Sequence, residues 1–215
     1  MIKKIKYILQ RRKSLMQSLD VQKDFEEWEE TCLPSYCHSN LFAAYVSWQR
    51  LFVSAKLAKK HGKLDKVLDF GCGVAELKRL LPAETSYHYI EELSSSVNWI
   101  KSQYSDAIGI DLNDKNNSYD VVFALDSLEH NDNFAELVDK LISKLSSEGV
   151  LIVSGPTENA LYRLGRKVAG FTGHYHKTTI HDINREIDSR LTLQERVVEP
   201  FGLPLFVVSV WRKGV

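Results

Sequence analysis

The segment Asp69-Phe70-Gly71-Cys72-Gly73 closes an apolar run and leads directly into Val74-Ala75-Glu76. Gly71 and Gly73 carry no Cβ, so backbone at this turn can come close to a ligand. A helix opening at about Ala75 would aim unpaired N–H groups back at the same crevice. A second acid, Glu91, ends the run Tyr87-His88-Tyr89-Ile90. It stands roughly 20 residues beyond the turn, the interval at which a carboxylate takes ribose hydroxyls in nucleotide-binding sheets. An acid, a glycine turn and a second acid at that distance read as a site for a nucleotide-type cofactor.

Other residues offer chemistry of a different kind. His130 follows a long apolar run and is a candidate general base, because histidine titrates near neutral pH. His174, Tyr175 and His176 lie in Gly170-Phe171-Thr172-Gly173-His174-Tyr175-His176 and would suit a polar substrate. Arg163, Arg166 and Lys167 form a basic cluster just before them, which reads as a solvated face or a contact for an anionic group. No metal site is expected, since no helical HxxxH or carboxylate pair accompanies these histidines. Cys32, Cys37 and Cys72 lack zinc-like spacing and read as reduced thiols of a cytoplasmic protein.

These groups need a scaffold, and the pattern of apolar residues supplies one. Residues 1–60 read as a helical extension, either a substrate cap or a surface anchor. Ile2, Ile5, Ile8 and Leu9 recur at helical spacing, a second helix is expected over Val21–Thr31 with Asp20 as its cap, and Cys32-Leu33-Pro34-Ser35 breaks it. A third helix spans about 40–60 and ends at a His61-Gly62 C-cap signature. Residues 61–215 alternate between strand and helix. Strands are expected at 65–70, 86–91, 106–111, 119–125 and 148–153, with helices at 75–82, 94–104 and 132–146. Two last strands, 191–199 and 205–211, would form a hairpin. The expectation is an α/β fold: a doubly wound, mostly parallel seven-stranded sheet with a C-terminal antiparallel hairpin.

The spacing also selects among cofactors. A dinucleotide fingerprint would place glycine where Glu76 stands, and a phosphate loop would need the lysine of GxxxxGK[ST]; both are missing. Asp69-Phe70-Gly71-Cys72-Gly73 instead resembles motif I of the class I S-adenosylmethionine (SAM)-dependent methyltransferases, a Rossmann-like family. Five further segments follow that family's order: Tyr87–Glu91, Gly109–Leu112, Ser118–Leu125, Asp126-Ser127-Leu128-Glu129-His130 and Glu148–Ser154. The overall pattern is similar to the broad type 11 group. The resemblance implies that Asp69, Gly71, Cys72 and Gly73 cradle the methionine side of SAM. It implies further that Glu91 takes the ribose hydroxyls, that Asp111 faces the adenine amino group, and that Ala124 and Leu125 lie beneath the cofactor. One departure is Ala75, where the family often has a third glycine.

Composition narrows the acceptor. Lys+Arg and Asp+Glu are both 28, so no global field favours nucleic acid. No [NDS]-P-P-[YF] motif follows the fourth strand either. A small-molecule acceptor is expected, with O-methylation preferred, among metabolites, sugars, lipids or quinone precursors. Two alternatives stand beside this reading. One is a non-catalytic module of the same fold. The other is an enzyme held at a membrane surface through residues 1–20, acting on a lipid-linked acceptor, because apolar and basic residues mix in that helix. No apolar run approaches the roughly 20 residues that would span a bilayer.

Overall fold

The computed structural model describes residues 2–19, 28, 31–114, 118–163, 178–200 and 202–214. Seven strands form one sheet in the order β3-β2-β1-β4-β5-β7-β6. β1 (Lys66–Phe70), β2 (Ser86–Ile90), β3 (Ile108–Gly109), β4 (Tyr119–Leu125) and β5 (Leu145–Pro156) run parallel. β7 (Phe206–Arg212) pairs antiparallel with β5, and β6 (Thr192–Glu199) pairs antiparallel with β7 at the far edge. The architecture is the Rossmann-like sheet with a C-terminal hairpin that the sequence pattern predicts.

Strand β4 shows why this sheet must be covered on both sides. Val121 and Phe123 join one apolar cluster, Val122 and Ala124 the other, and all four are fully buried. A central parallel strand therefore reads as a continuous apolar run rather than an alternating one. One face is packed by α1 (Ile2–Ser18), α2 (Leu33–Tyr36), α3 (Leu41–His61) and α4 (Ser94–Gln103). The other face carries α5 (Phe134–Ser143) and α6 (Ile180–Asp188). Ile8 and Leu15 of α1 and Trp48 and Leu57 of α3 share one core with Val67, Phe123 and Val210 of the sheet. Asn40 starts α3, its side chain accepting the Phe42 and Ala43 N–H groups.

Several local expectations differ from the structure, each for a physical reason. Ala75 takes a left-handed conformation (φ 55°) and cannot begin an α-helix; the predicted helix 75–82 is instead a 3-10 turn, Glu76–Leu80. Gly62 is extended rather than left-handed. Its reason for being glycine is close packing, since a Cβ there would lie 2.6 Å from Val121 Cγ2. Pro34 does not simply break helix but stands in the first turn of α2, where it costs no hydrogen bond. β5 starts at Leu145, inside the helix predicted to reach 146, because Leu145 already pairs with Tyr119 before a register shift. β3 shrinks to two residues, so Asp111 lies beyond it. The expected helix 21–31 and its Asp20 cap fall largely outside the described residues. No helix among the described residues is long and apolar enough to cross a membrane.

Candidate active site

The strand order reverses between β1 and β4, and in open α/β sheets the carboxyl ends of strands at such a point form a crevice. A cleft of about 570 Å³ lies there, bounded by the ends of β1, β2 and β4 and by α2. That volume falls in the usual range for small-molecule sites.

Asp69 sits near the end of β1, is buried, and accepts a 2.5 Å hydrogen bond from the Tyr87 hydroxyl. Burial pushes its carboxyl up to about 7; the Tyr87 bond works against this, and the Glu91 charge adds to it. Gly71 (φ 65°) and Gly73 (φ 55°) turn the chain out of the strand. A Cβ on Gly71 would come within 2.5 Å of Ser127 Cβ, so the turn and the loop after β4 are packed against each other. At Gly73 the nearest atom to such a Cβ is Thr31 Cβ, 4.0 Å away, and this glycine leaves the cleft open. Glu91 closes the frame: one carboxylate oxygen accepts the Gly73 N–H at 2.7 Å, and the other accepts the Glu92 and Leu93 N–H groups at 3.0 Å. Desolvation, followed by the charges of Asp69 and Glu91, holds the thiol of half-buried Cys72 well above its ordinary value. This cysteine is therefore a packing group rather than a nucleophile.

Among the residues named from sequence, Asp69, Gly71, Cys72, Gly73, Glu91, Leu125 and His130 all line the cleft. Ala124 is buried one residue short of it. Asp111 does not line it; this exposed carboxylate accepts the Asn113 N–H at 2.7 Å within its own turn. His174, Tyr175 and His176 lie outside the described residues, as do Arg166 and Lys167. His130 ends the 3-10 turn Leu128–His130. Glu129, beside it, is buried away from the cleft, with its carboxyl pushed up to about 7, chiefly by burial.

The sequence reading passed over three contributors. Asp126 follows β4 in a left-handed conformation (φ 52°) and lines the cleft. Its carboxylate accepts the Ser154 hydroxyl and pairs with Arg50, a cation buried on α3. Arg50 had a visible signal, a lone positive charge amid Trp48, Leu51 and Phe52. Asp126 had one too, since it follows β4 much as Glu91 follows β2. The third is the choice of residues in the roof: a cap from the helical extension is one expectation, but not that Cys32, Leu33 and Tyr36 at its break would overhang the cleft. Arg11 of α1 secures that side, reaching Glu76 through both carboxylate oxygens at 2.5 and 3.0 Å.

The charge of the lining is one-sided. Asp69, Glu76, Glu91, Glu92 and Asp126 face the cleft, and among the described residues no lysine or arginine does. With Glu76 and Asp126 paired from behind, Asp69, Glu91 and Glu92 are left to meet a ligand. Such a lining repels phosphate and attracts a cation with hydroxyls.

A methyltransferase domain family model matches residues 42–190. The chain belongs to that methyltransferase family, and it is an enzyme of the class I type by sheet order. Solved structures with the same fold include the N-methyltransferase NodS of Bradyrhizobium japonicum in complex with S-adenosylhomocysteine, at 14% identity and a TM-score of 0.63, covering 78% of this chain and 87% of that one. The magnesium protoporphyrin IX methyltransferase of Synechocystis, also with bound S-adenosylhomocysteine, is similar at 17% identity and a TM-score of 0.63, covering 94% and 100%. A protein of Pyrococcus horikoshii reaches a TM-score of 0.67 at 14% identity, covering 88% and 99%. No curated protein sequence matches the chain.

Proposed function

We propose that this enzyme binds SAM in the acidic cleft and transfers its methyl group to a small-molecule acceptor, preferably at a hydroxyl. The observation that carries the reading is the lining itself: three carboxylates left to a ligand at the switch point, with no opposing cation among the described residues. The donor fits this set. When bound, SAM supplies an electrophilic methyl on a sulfonium, together with an ammonium and two ribose hydroxyls.

The chain's own residues then have separable tasks. Glu91 is held in place by three backbone N–H groups and would accept the ribose hydroxyls. Asp69 would anchor the ammonium side, directly or through water, and ionise as the cation arrives. Gly73 leaves room for the methionine portion, while Leu125 supports the cofactor from below. Asp111, outside the cleft lining and accepting the Asn113 N–H through one oxygen, would face the adenine amino group through the other. Cys32, Leu33 and Tyr36 would exclude water from the transfer. Aligning acceptor and methyl in this way can supply on the order of 7–11 kcal/mol. His130 would orient the acceptor or take its proton. Free cysteines suit the proposed cytoplasmic setting.

Incubation with a labelled methyl donor and a metabolite extract, followed by mass spectrometry, identifies the acceptor. Label on a hydroxyl-bearing small molecule is the expected result. Label only on nucleic acid or protein would contradict the proposal.

A further inference from the structure

Helix α1 has two apolar faces, and the domain uses one of them. Ile8 and Leu15 are buried. Tyr7 packs edge-on against Trp48 and Phe52, with ring centroids 5.8 and 5.7 Å apart. Lys4 reaches Gln49 and lies over the Phe52 ring, while Arg11 grips Glu76 and Arg12 donates to the Cys37 carbonyl. These contacts run along the helix and settle which side faces inward.

A second stripe faces out. Ile2, Ile5, Leu9 and Met16 fall at steps of three, four and seven residues, which places them on one line of an α-helix. Their exposures are 70%, 41%, 42% and 46%. A helix that has already satisfied its core does not need four large exposed apolar groups in register. The charges the helix itself carries are of one sign. Lys6 and Lys13 are exposed beside the stripe and Lys3 is exposed further round the helix, and residues 1–19 contain no aspartate or glutamate. The chain as a whole is neutral, so this helix carries a local excess offset elsewhere. Leu41 and Phe42, at 51% and 58% exposure, stand only a few residues past the Cys37 anchor and add apolar surface at the start of α3.

We infer that the outer face of α1 docks on an anionic lipid bilayer, lying in the interface with its apolar stripe inserted and its lysines at the headgroups. An apolar line on a helix whose only charges are cations matches the layered chemistry of such a surface, apolar below and negative above. A second copy of the chain would present the same positive charge and repel. The inference concerns the surface of α1 and stands whether or not the acceptor is lipid-borne.

Co-sedimentation of the full chain with vesicles tests this. The probes are phosphatidylcholine vesicles with and without phosphatidylserine, at low and high salt. Binding is expected to need the anionic lipid and to fall with salt. Replacing Lys3, Lys6 and Lys13 by glutamine is expected to weaken it by about fivefold per lysine. The double substitution Ile5→Gln and Leu9→Gln, at exposed positions, is expected to weaken it at least as strongly while the melting temperature and SAM affinity stay unchanged. Equal binding to neutral vesicles, no binding at all, or undiminished binding by the glutamine variants would overturn the inference. So would a dimer in sedimentation velocity, without lipid, that the Ile5 and Leu9 substitutions abolish.

Discussion

A buried carboxylate whose carboxyl is pushed up to about 7 makes cofactor binding depend on pH. The bound cation favours ionised Asp69, so its carboxyl falls in the complex. Below about pH 7 the free protein holds a proton there that binding must expel. Affinity for SAM should therefore fall as pH drops through 7, by up to about tenfold per pH unit, with proton release visible when titrations in two buffers are compared. Asp69→Asn should flatten the dependence and leave affinity at its low-pH level; a profile unchanged by this substitution would assign the proton to another group, Glu129 being the next with a carboxyl near 7. At the turn, Gly71→Ala meets both a positive φ and Ser127, whereas Gly73→Ala meets only the backbone cost of about 1–2 kcal/mol and open cleft. Thermal melts should show the first variant clearly less stable and the second modestly so. His130→Ala should lower turnover by about 100-fold with little change in SAM affinity; an unchanged rate would remove this side chain from the chemistry. Asp69, the glycines and Glu91 were legible because strand ends and missing Cβ atoms leave a mark on sequence. Asp126 carried the same strand-end mark after β4; what no local spacing announces is the left-handed turn that brings it to the cleft.

Among the elements, α3 and the loop after β4 are joined by the buried pair Arg50 and Asp126. The Arg50 side chain also stacks over the Phe206 ring at 4.7 Å, so it ties α3 to β7 as well. Removing the cation leaves Asp126 buried without its partner. Arg50→Met should cost about 3–5 kcal/mol, read as a fall in the denaturation midpoint. A variant as stable as the parent would show that the pair contributes no net stability. The strands were largely legible because each is a short apolar run between turn residues, and β4 was legible to the residue. Helix starts and sheet edges were harder. Ala75 has high helix propensity yet stands left-handed, because the turn from Gly71 onward sets its backbone. β3, at the edge, has only β2 to hold it and pairs over two residues.

The whole molecule places an acidic cleft where its strand order reverses, and lays a helical layer over it. The sheet was legible from alternation alone. The roof was legible only as a possible cap from the helical extension, because the contact of Cys32 and Tyr36 with the cleft follows from α1 and α3 folding back onto the same core as the sheet. Arg11, fastened to Glu76, makes α1 part of that enclosure. In the proposed reading this cleft holds the methyl donor. Isothermal titration of the full chain with SAM and with S-adenosylhomocysteine, repeated with Gly73→Ala and Glu91→Ala, measures it directly. Saturable one-to-one binding by the parent, weakened by both folded variants, is the predicted result. Absence of binding to either ligand, or affinity untouched by both substitutions, would contradict it.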